Sequence, residues 1–286
     1  MMKRYYRIAD VTFEVIGDEK IMSLDRGSLI EYSTEPVCAD YTMYFEAVER
    51  LTPPEGVLVF SSSDKIVYSF PDGEIRYTGN LSEGYKKADV RVKRCGKKIS
   101  VQVVFDGAFR YIAPKTVLNS LNIEHAMAEN GRFILHASYI KYKGEAILFT
   151  APSGVGKSTQ ARLWCEYRLA ELINGDRAAI VPKDGTFFAY GVPYAGSSGV
   201  FKNEKCPIKA IVYLSQAPEN TVTRLTGLSS FRKVWEGCTA DVWNKEDMEA
   251  NIKTVSDVIA SVPVFHLSCL PDESAVKALE NELEKL

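Results

Sequence analysis

The sequence predicts an α/β protein in which a β-rich N-terminal lobe, residues 1–113, precedes a P-loop domain, residues 114–286. Three observations carry that prediction. Ala151 to Thr159 (APSGVGKST) has the glycine spacing and the Lys-Ser pair of a phosphate-binding loop. The loop follows an apolar run, Ala146 to Thr150, and precedes a Gly- and Pro-free helical pattern from Lys157 to Leu172 with Ala161, Trp164, Cys165 and Leu169 along one side. Between Tyr5 and Ala113, short apolar-polar alternations are separated by turn dipeptides, which is how hairpins read.

The N-terminal elements follow in order. Val11, Phe13 and Val15 alternate with Thr12 and Glu14, as in a half-buried strand. Asp40 is placed to cap a helix carrying Met43, Ala47, Val48 and Leu51, which Pro53-Pro54 would stop. Strands are expected at 56–60, 65–70, 74–78, 88–94 and 98–105, with turns at Pro71-Asp72-Gly73, Cys95-Gly96 and Asp106-Gly107. No group of residues in this lobe carries recognisable chemistry, and oligomer contact or substrate docking is the role expected of it.

In the second part, 114–130 reads as a connecting helix stopped by Gly131, and His125 falls on it. Strands at 132–140 and 145–150, joined across Lys143-Gly144, deliver the chain into the loop. Residues 170–180 begin apolar and end polar around Asn174-Gly175-Asp176, and a hairpin follows at 178–181 and 186–190. Residues 191–204 form a Gly/Ser-rich loop suited to binding an acceptor, with Ser197 and Ser198 as candidate contacts. Strands at 208–214, 222–225 and 264–267 alternate with helices at 229–236, 244–262 (Asn244 as cap) and beyond Pro271. His266 and Cys269 have no metal-pair spacing and read as structural.

Composition narrows the function. The 286 residues suffice for one large domain or two modest ones, and 46% hydrophobic with 25% charged residues is ordinary for a globular protein. A net charge of −2 and a pI near 6.0 give no electrostatic reason to expect nucleic acid. The local cluster Arg91, Lys93, Arg94, Lys97 and Lys98 reads as a solvated hairpin face, with contact to an acidic partner as the lesser alternative. Six scattered cysteines without a C-x-x-C pair look like reduced thiols. No apolar run approaches a membrane span and the N-terminus lacks a signal-peptide core, so no membrane partner and a cytoplasmic location are expected.

The loop sets the chemistry. Gly154 and Gly156 let successive N–H groups of Ser153, Gly154, Val155, Gly156, Lys157, Ser158 and Thr159 turn inward, and with the helix N-terminus these donors make an anion cradle. Lys157 can reach the β- and γ-phosphates of ATP, and the Ser158 hydroxyl is placed to ligate Mg²⁺. Asp176, at the end of a strand, is the first candidate for a carboxylate beside that metal, although Asn-Gly-Asp is also good turn chemistry.

His136 on the strand before the loop, the Ser-Gly-x-Gly-Lys-Ser core at 153–158, and Asp176 after it resemble the catalytic region of HPr kinase/phosphorylase, a family that shares its P-loop fold with ATP-dependent phosphoenolpyruvate carboxykinase. The resemblance covers about 132–214 and, more loosely, the rest of the C-terminal part. It departs at Ala137, where the family has Gly, at Thr159, where it has an acidic residue, and at Arg177, where it has a second Asp. The chain is more similar to HPr-kinase-like kinases that phosphorylate free serine or a seryl group of a peptide. The resemblance implies transfer of the γ-phosphoryl group of ATP to a hydroxyl, with Ser158 and Asp176 on the metal and Asp176 as base. His136 would tune or relay the proton, and Arg177 would steady transition-state charge or form an ion pair. It also implies a possible homo-oligomer. Two other classes stay open: an ATPase or nucleotide-gated switch without an acceptor, and a non-catalytic nucleotide-binding module.

Overall fold

In a computed structural model, which describes residues 1–18, 22, 28–79, 81–105 and 116–286, the chain divides into two units, Met1–Ile123 and Glu124–Leu286. The first unit contains β1 (Met2–Ile8), β2 (Val11–Gly17), β3 (Tyr41–Val48), β4 (Val57–Ser61), β5 (Lys65–Phe70), β6 (Gly73–Gly79), β7 (Ser82–Tyr85), β8 (Ala88–Cys95) and β9 (Lys98–Val104). Eight of them form one sheet in the order β1-β2-β3-β9-β8-β6-β5-β4. The β1–β2 hairpin turns on Ala9 and Asp10, both at positive φ, the backbone hand that matches the twist of paired strands.

The helix expected after Asp40 is a strand. Tyr41, Met43 and Phe45 are buried while Tyr44 and Glu46 are exposed, so the period is two and the apolar positions suit a sheet face. The strand is held in parallel register between β2 and β9. Asp40 caps no helix; its carboxylate accepts hydrogen bonds from the Thr12 amide and hydroxyl. The basic cluster on β8–β9 is also less solvated than its sequence implies. Arg91 is buried and its Nε donates to the Tyr77 hydroxyl, while Lys93 pairs with Glu55 and Arg94 with Glu74. The turn expected at Asp106-Gly107 lies outside the described residues.

The expected connecting helix is two short ones, α1 (Thr116–Ser120) and α2 (Ile123–Glu129), because Asn122 between them takes a left-handed φ of 51°; the start expected at 114 lies outside the described residues. The second unit continues with β10 (Phe133–Tyr142), β11 (Glu145–Thr150), α3 (Lys157–Arg168), β12 (Glu171–Asn174), β13 (Arg177–Lys183), β14 (Thr186–Gly191), β15 (Lys205–Gln216) and β16 (Thr221–Leu225). The chain ends with α4 (Gly227–Gly237), β17 (Cys238–Thr239), α5 (Lys245–Ser261), β18 (Val264–Cys269) and α6 (Glu273–Leu283). The loop helix α3 is shorter than the sequence pattern, closing at Leu169 with φ 55°. Leu169 is 91% exposed instead of lying on the buried side, and residues 171–174 pair with β10 as a strand.

Two long strands join this unit together. The first half of β10 pairs with β13 and its second half with β11 and β12. Likewise β15 pairs with β14 at its start, then runs parallel to β11 on one side and β18 on the other. Alternate residues of β11, β15 and β18 feed two separate cores, as strand geometry requires. Phe149, Val212, Leu214 and Leu267 pack with Trp164 of α3 and with Val276 and Leu279 of α6. Leu148, Ile211 and Val264 pack with Val234 of α4 and with Val255 and Val258 of α5. Asn244 caps α5, accepting from the Asp247 amide. Buried His125 of α2 faces Asp247 of α5, Nδ1 lying 2.8 and 2.9 Å from its two carboxylate oxygens.

Candidate functional site

The loop between β11 and α3 curls as its glycines allow. Gly154 has φ +80° and Gly156 φ +129°, and a Cβ built on either would meet no atom within 4 Å. The space beside both glycines is therefore open, as the approach of an anion to the backbone N–H groups would require. Ser153, Gly154 and Ser158 are exposed, and Val155 packs partly into the α3–α6 core. Thr159 lies partly buried in the first turn of α3. Lys157 is only 8% exposed, with Nζ donating to the Ala151 carbonyl at 2.9 Å. Burial lowers the pKa of its ammonium, and the Asp176 carboxylate acts against that shift.

Asp176 is aimed by its neighbours. The buried Asn174 side chain accepts from the amides of Asp176 (2.9 Å) and Arg177 (3.0 Å) and donates to the Val192 carbonyl at 2.8 Å. This is an Asx turn, so the turn chemistry and the placement of the carboxylate are one arrangement, not competing accounts. The Asp176 carbonyl accepts from the Ala137 amide at 3.0 Å, just where β10 exchanges partners. From the 191–204 loop, Gly196 lies flat against the carboxyl: a Cβ there would stand 2.9 Å from Asp176 Cγ. Gly175 in turn faces Ser198, which an added Cβ would strike at 2.0 Å from Oγ.

Arg177 is held on three sides. Its Nε lies 3.3 Å from Asp176 Oδ2, its Nη1 donates to Glu124 Oε1 at 2.8 Å, and its guanidinium sits 4.6 Å from the Tyr194 ring centre. His136 pairs in register with Arg177. Its imidazole is kept below the ordinary value of 6.5, chiefly by burial and next by the Lys157 cation, with Asp176 opposing and Arg177 assisting. A neutral imidazole accepts a proton where a charged one does not.

The structure thus brings Lys157, Asp176 and Arg177 within electrostatic reach of His136. Ser197 is exposed, and the Ser198 hydroxyl is engaged within its own loop, donating to the Ala195 carbonyl and accepting from the Val200 amide. Sequence reasoning passed over Asn174 as an aiming residue, Gly196, Glu124 and Tyr194. It also passed over Gly237, where a Cβ would meet Thr150 Oγ1 at 2.4 Å and lie 3.6 Å from the His136 carbonyl oxygen. Only the Asn-Gly-Asp signature announced any of these locally. Among the described residues no three His, Cys, Asp or Glu side chains form a metal cluster, and His266 instead lies 2.8 Å from the Ser215 hydroxyl. No described helix is long and apolar enough to cross a membrane.

Residues 115–271 match the family described as SynChlorMet cassette protein ScmC. No curated protein matches the chain. Among solved structures the chain is similar to the Hpr(Ser) kinase/phosphatase from Coxiella burnetii, at 12% identity over 53% of this chain and 97% of that one, with a TM-score of 0.33.

Proposed function

The chain belongs to the ScmC family of SynChlorMet cassette proteins, and from that premise we propose an ATP- and Mg²⁺-dependent kinase of HPr-kinase-like type that transfers the γ-phosphoryl group to a hydroxyl, a seryl group of a peptide or protein or free serine. The observation that carries this reading is the open glycine loop with a buried lysine at its helix mouth and the Asp176 carboxylate within electrostatic reach of that lysine. Backbone amides 153–159 and Lys157 bind and neutralise the β/γ-phosphates. Asp176 accepts the acceptor's hydroxyl proton, and neutral His136 beside it relays or tunes that transfer. Arg177 steadies the carboxylate through the 3.3 Å ion pair.

The donor set also fits the metal. Ser158 is exposed at the first turn of α3, and its hydroxyl and the Asp176 carboxylate are hard oxygen donors of the kind Mg²⁺ takes. Ser158 Oγ and Asp176 would hold Mg²⁺, which would supply charge neutralisation on the phosphates when bound. One observation favours a second reading. The ion pair of Arg177 with Asp176 engages the proposed base, as a protein that binds nucleotide without consuming it would allow.

Transfer from γ-labelled ATP, run in parallel against free serine, seryl peptides and water, separates these readings. Label on a serine hydroxyl supports the kinase. Phosphate release without acceptor supports an ATPase. Binding with no turnover in any arm supports the non-catalytic module.

A further inference from the structure

A second polar cluster lies on the same sheet as the loop and has no part in the chemistry above. The strand registers place Ala137 of β10, Thr150 of β11, Tyr213 of β15, His266 of β18 and Thr223 of β16 on one continuous rung. Paired residues share a face, so these five side chains point the same way. One end of the rung adjoins Asp176, whose carbonyl binds the Ala137 amide. The rung's fourth member, His266, belongs to the cluster, while Ala137, Thr150 and Tyr213 are buried. Ser215 Oγ lies 2.8 Å from His266 Nε2 and 2.9 Å from Ser268 Oγ, and all three residues are partly exposed.

Its chemistry is that of an uncharged hydrogen-bonding surface. Burial, and then the nearby Lys233, hold the His266 imidazole below its ordinary value, which favours the neutral ring. Lys233 itself lies 4.1 Å from the Tyr213 ring centre and is paired with Glu236 at 3.3 Å, which leaves little net charge at the cluster. Whichever ring nitrogen carries the proton, the Ser268 hydroxyl keeps hydrogen-bonding capacity beyond the triangle. A phosphate or carboxylate prefers the cation and amides of the loop; an uncharged, hydroxyl-rich group suits this surface.

Position selects the ligand. The cluster sits at the carboxyl ends of the parallel strands β11, β15 and β18, where open α/β sheets bind ligands. From Ala137 to His266 is three strand spacings, about 14 Å. The Gln216 side chain, next to Ser215, donates to the Val155 carbonyl and ties β15 to the loop. With the reactive phosphate at Asp176 and the chain of phosphates over the loop, the part of the ligand left to lie over β15 and β18 is the nucleoside. We infer that Ser215, His266 and Ser268 form the nucleoside subsite, binding ribose hydroxyls and base heteroatoms of the phosphoryl donor. This rests on the proposed nucleotide reading of the loop.

The test is calorimetric binding of MgATP and, separately, of magnesium with inorganic tripolyphosphate, which has the phosphates and no nucleoside. Ser215→Ala and His266→Phe should each raise the MgATP Kd about tenfold, the loss of one or two hydrogen bonds, and leave the tripolyphosphate Kd unchanged. Unchanged MgATP affinity in both variants overturns the inference. So does proportional weakening of both ligands in Ser215→Ala, the milder change, which would mean that the cluster only supports the loop. A rise confined to the acceptor's KM would make it an acceptor platform and overturn it too. Wild-type protein that binds neither probe, or a Lys157→Ala variant that binds both normally, would instead remove the loop reading itself.

Discussion

Replacing Gly154 by alanine separates the anion cradle from mere loop geometry. In the folded protein the new methyl group meets nothing within 4 Å, so no steric clash arises. The cost is conformational: φ +80° is a left-handed setting that an L-residue adopts at about 1–2 kcal/mol. For a unit of this size that lowers Tm by about 2–8 °C. Ligand affinity should fall much further, because the methyl group stands in the open space beside the loop and would hold a phosphate off the amides. Losing even one charge-assisted hydrogen bond, about 1.5–3 kcal/mol, weakens binding roughly 10- to 100-fold. Gly131→Ala is the matched control: its φ is +65°, its Cβ likewise meets nothing, and it follows α2 rather than lying in the loop. Calorimetry with MgATP alongside thermal melts compares the two. If both variants lose similar stability and bind MgATP equally well, the cradle reasoning is refuted.

Three further outcomes are expected. Asp176→Asn keeps the shape of the carboxyl against Gly196 and removes its basicity, so labelled-phosphate turnover should drop about 10²–10⁴-fold with little change in nucleotide Kd; near-normal turnover would take Asp176 out of the base role. Because His136 is held below 6.5, the folded state favours the neutral ring. The stability this contributes is present above pH 6.5 and is lost as pH falls through the lower folded-state value. An NMR titration of the imidazole with a midpoint above 6.5 would contradict this. Asp247→Ala strips buried His125 of its 2.8 Å carboxylate partner and should cost about 1–3 kcal/mol by denaturant unfolding; a loss under about 0.5 kcal/mol would show the pair to be dispensable.

The parts of the site that were legible in the sequence are those built from consecutive residues. The strand, loop and helix around Gly154, Gly156, Lys157 and Ser158 form one local unit whose conformation depends on glycine torsions and on a helix N-terminus. The hairpins at β5–β6, β8–β9 and β13–β14 were legible for the same reason, as was the cap at Asn244. The helix read into residues 40–51 failed because Met43, Ala47 and Val48 satisfy a helical spacing while Tyr41, Met43 and Phe45 satisfy a strand one. Burial between β2 and β9 decided for the strand. Leu169 shows the converse: local periodicity put it on the helix, and the pairing of residues 171–174 with β10 ended the helix before it.

What only the tertiary structure decided is which distant side chains meet. Asp176 was a candidate from its context, but its aim depends on Asn174, on Gly196 twenty residues later, and on the exchange of partners within β10. The rung from Ala137 through Thr150, Tyr213 and His266 to Thr223 joins residues on five strands. The physical reason is that a strand's sequence fixes which residues share a face, whereas the hydrogen-bond register that sets them opposite one another is chosen by the packed sheet as a whole.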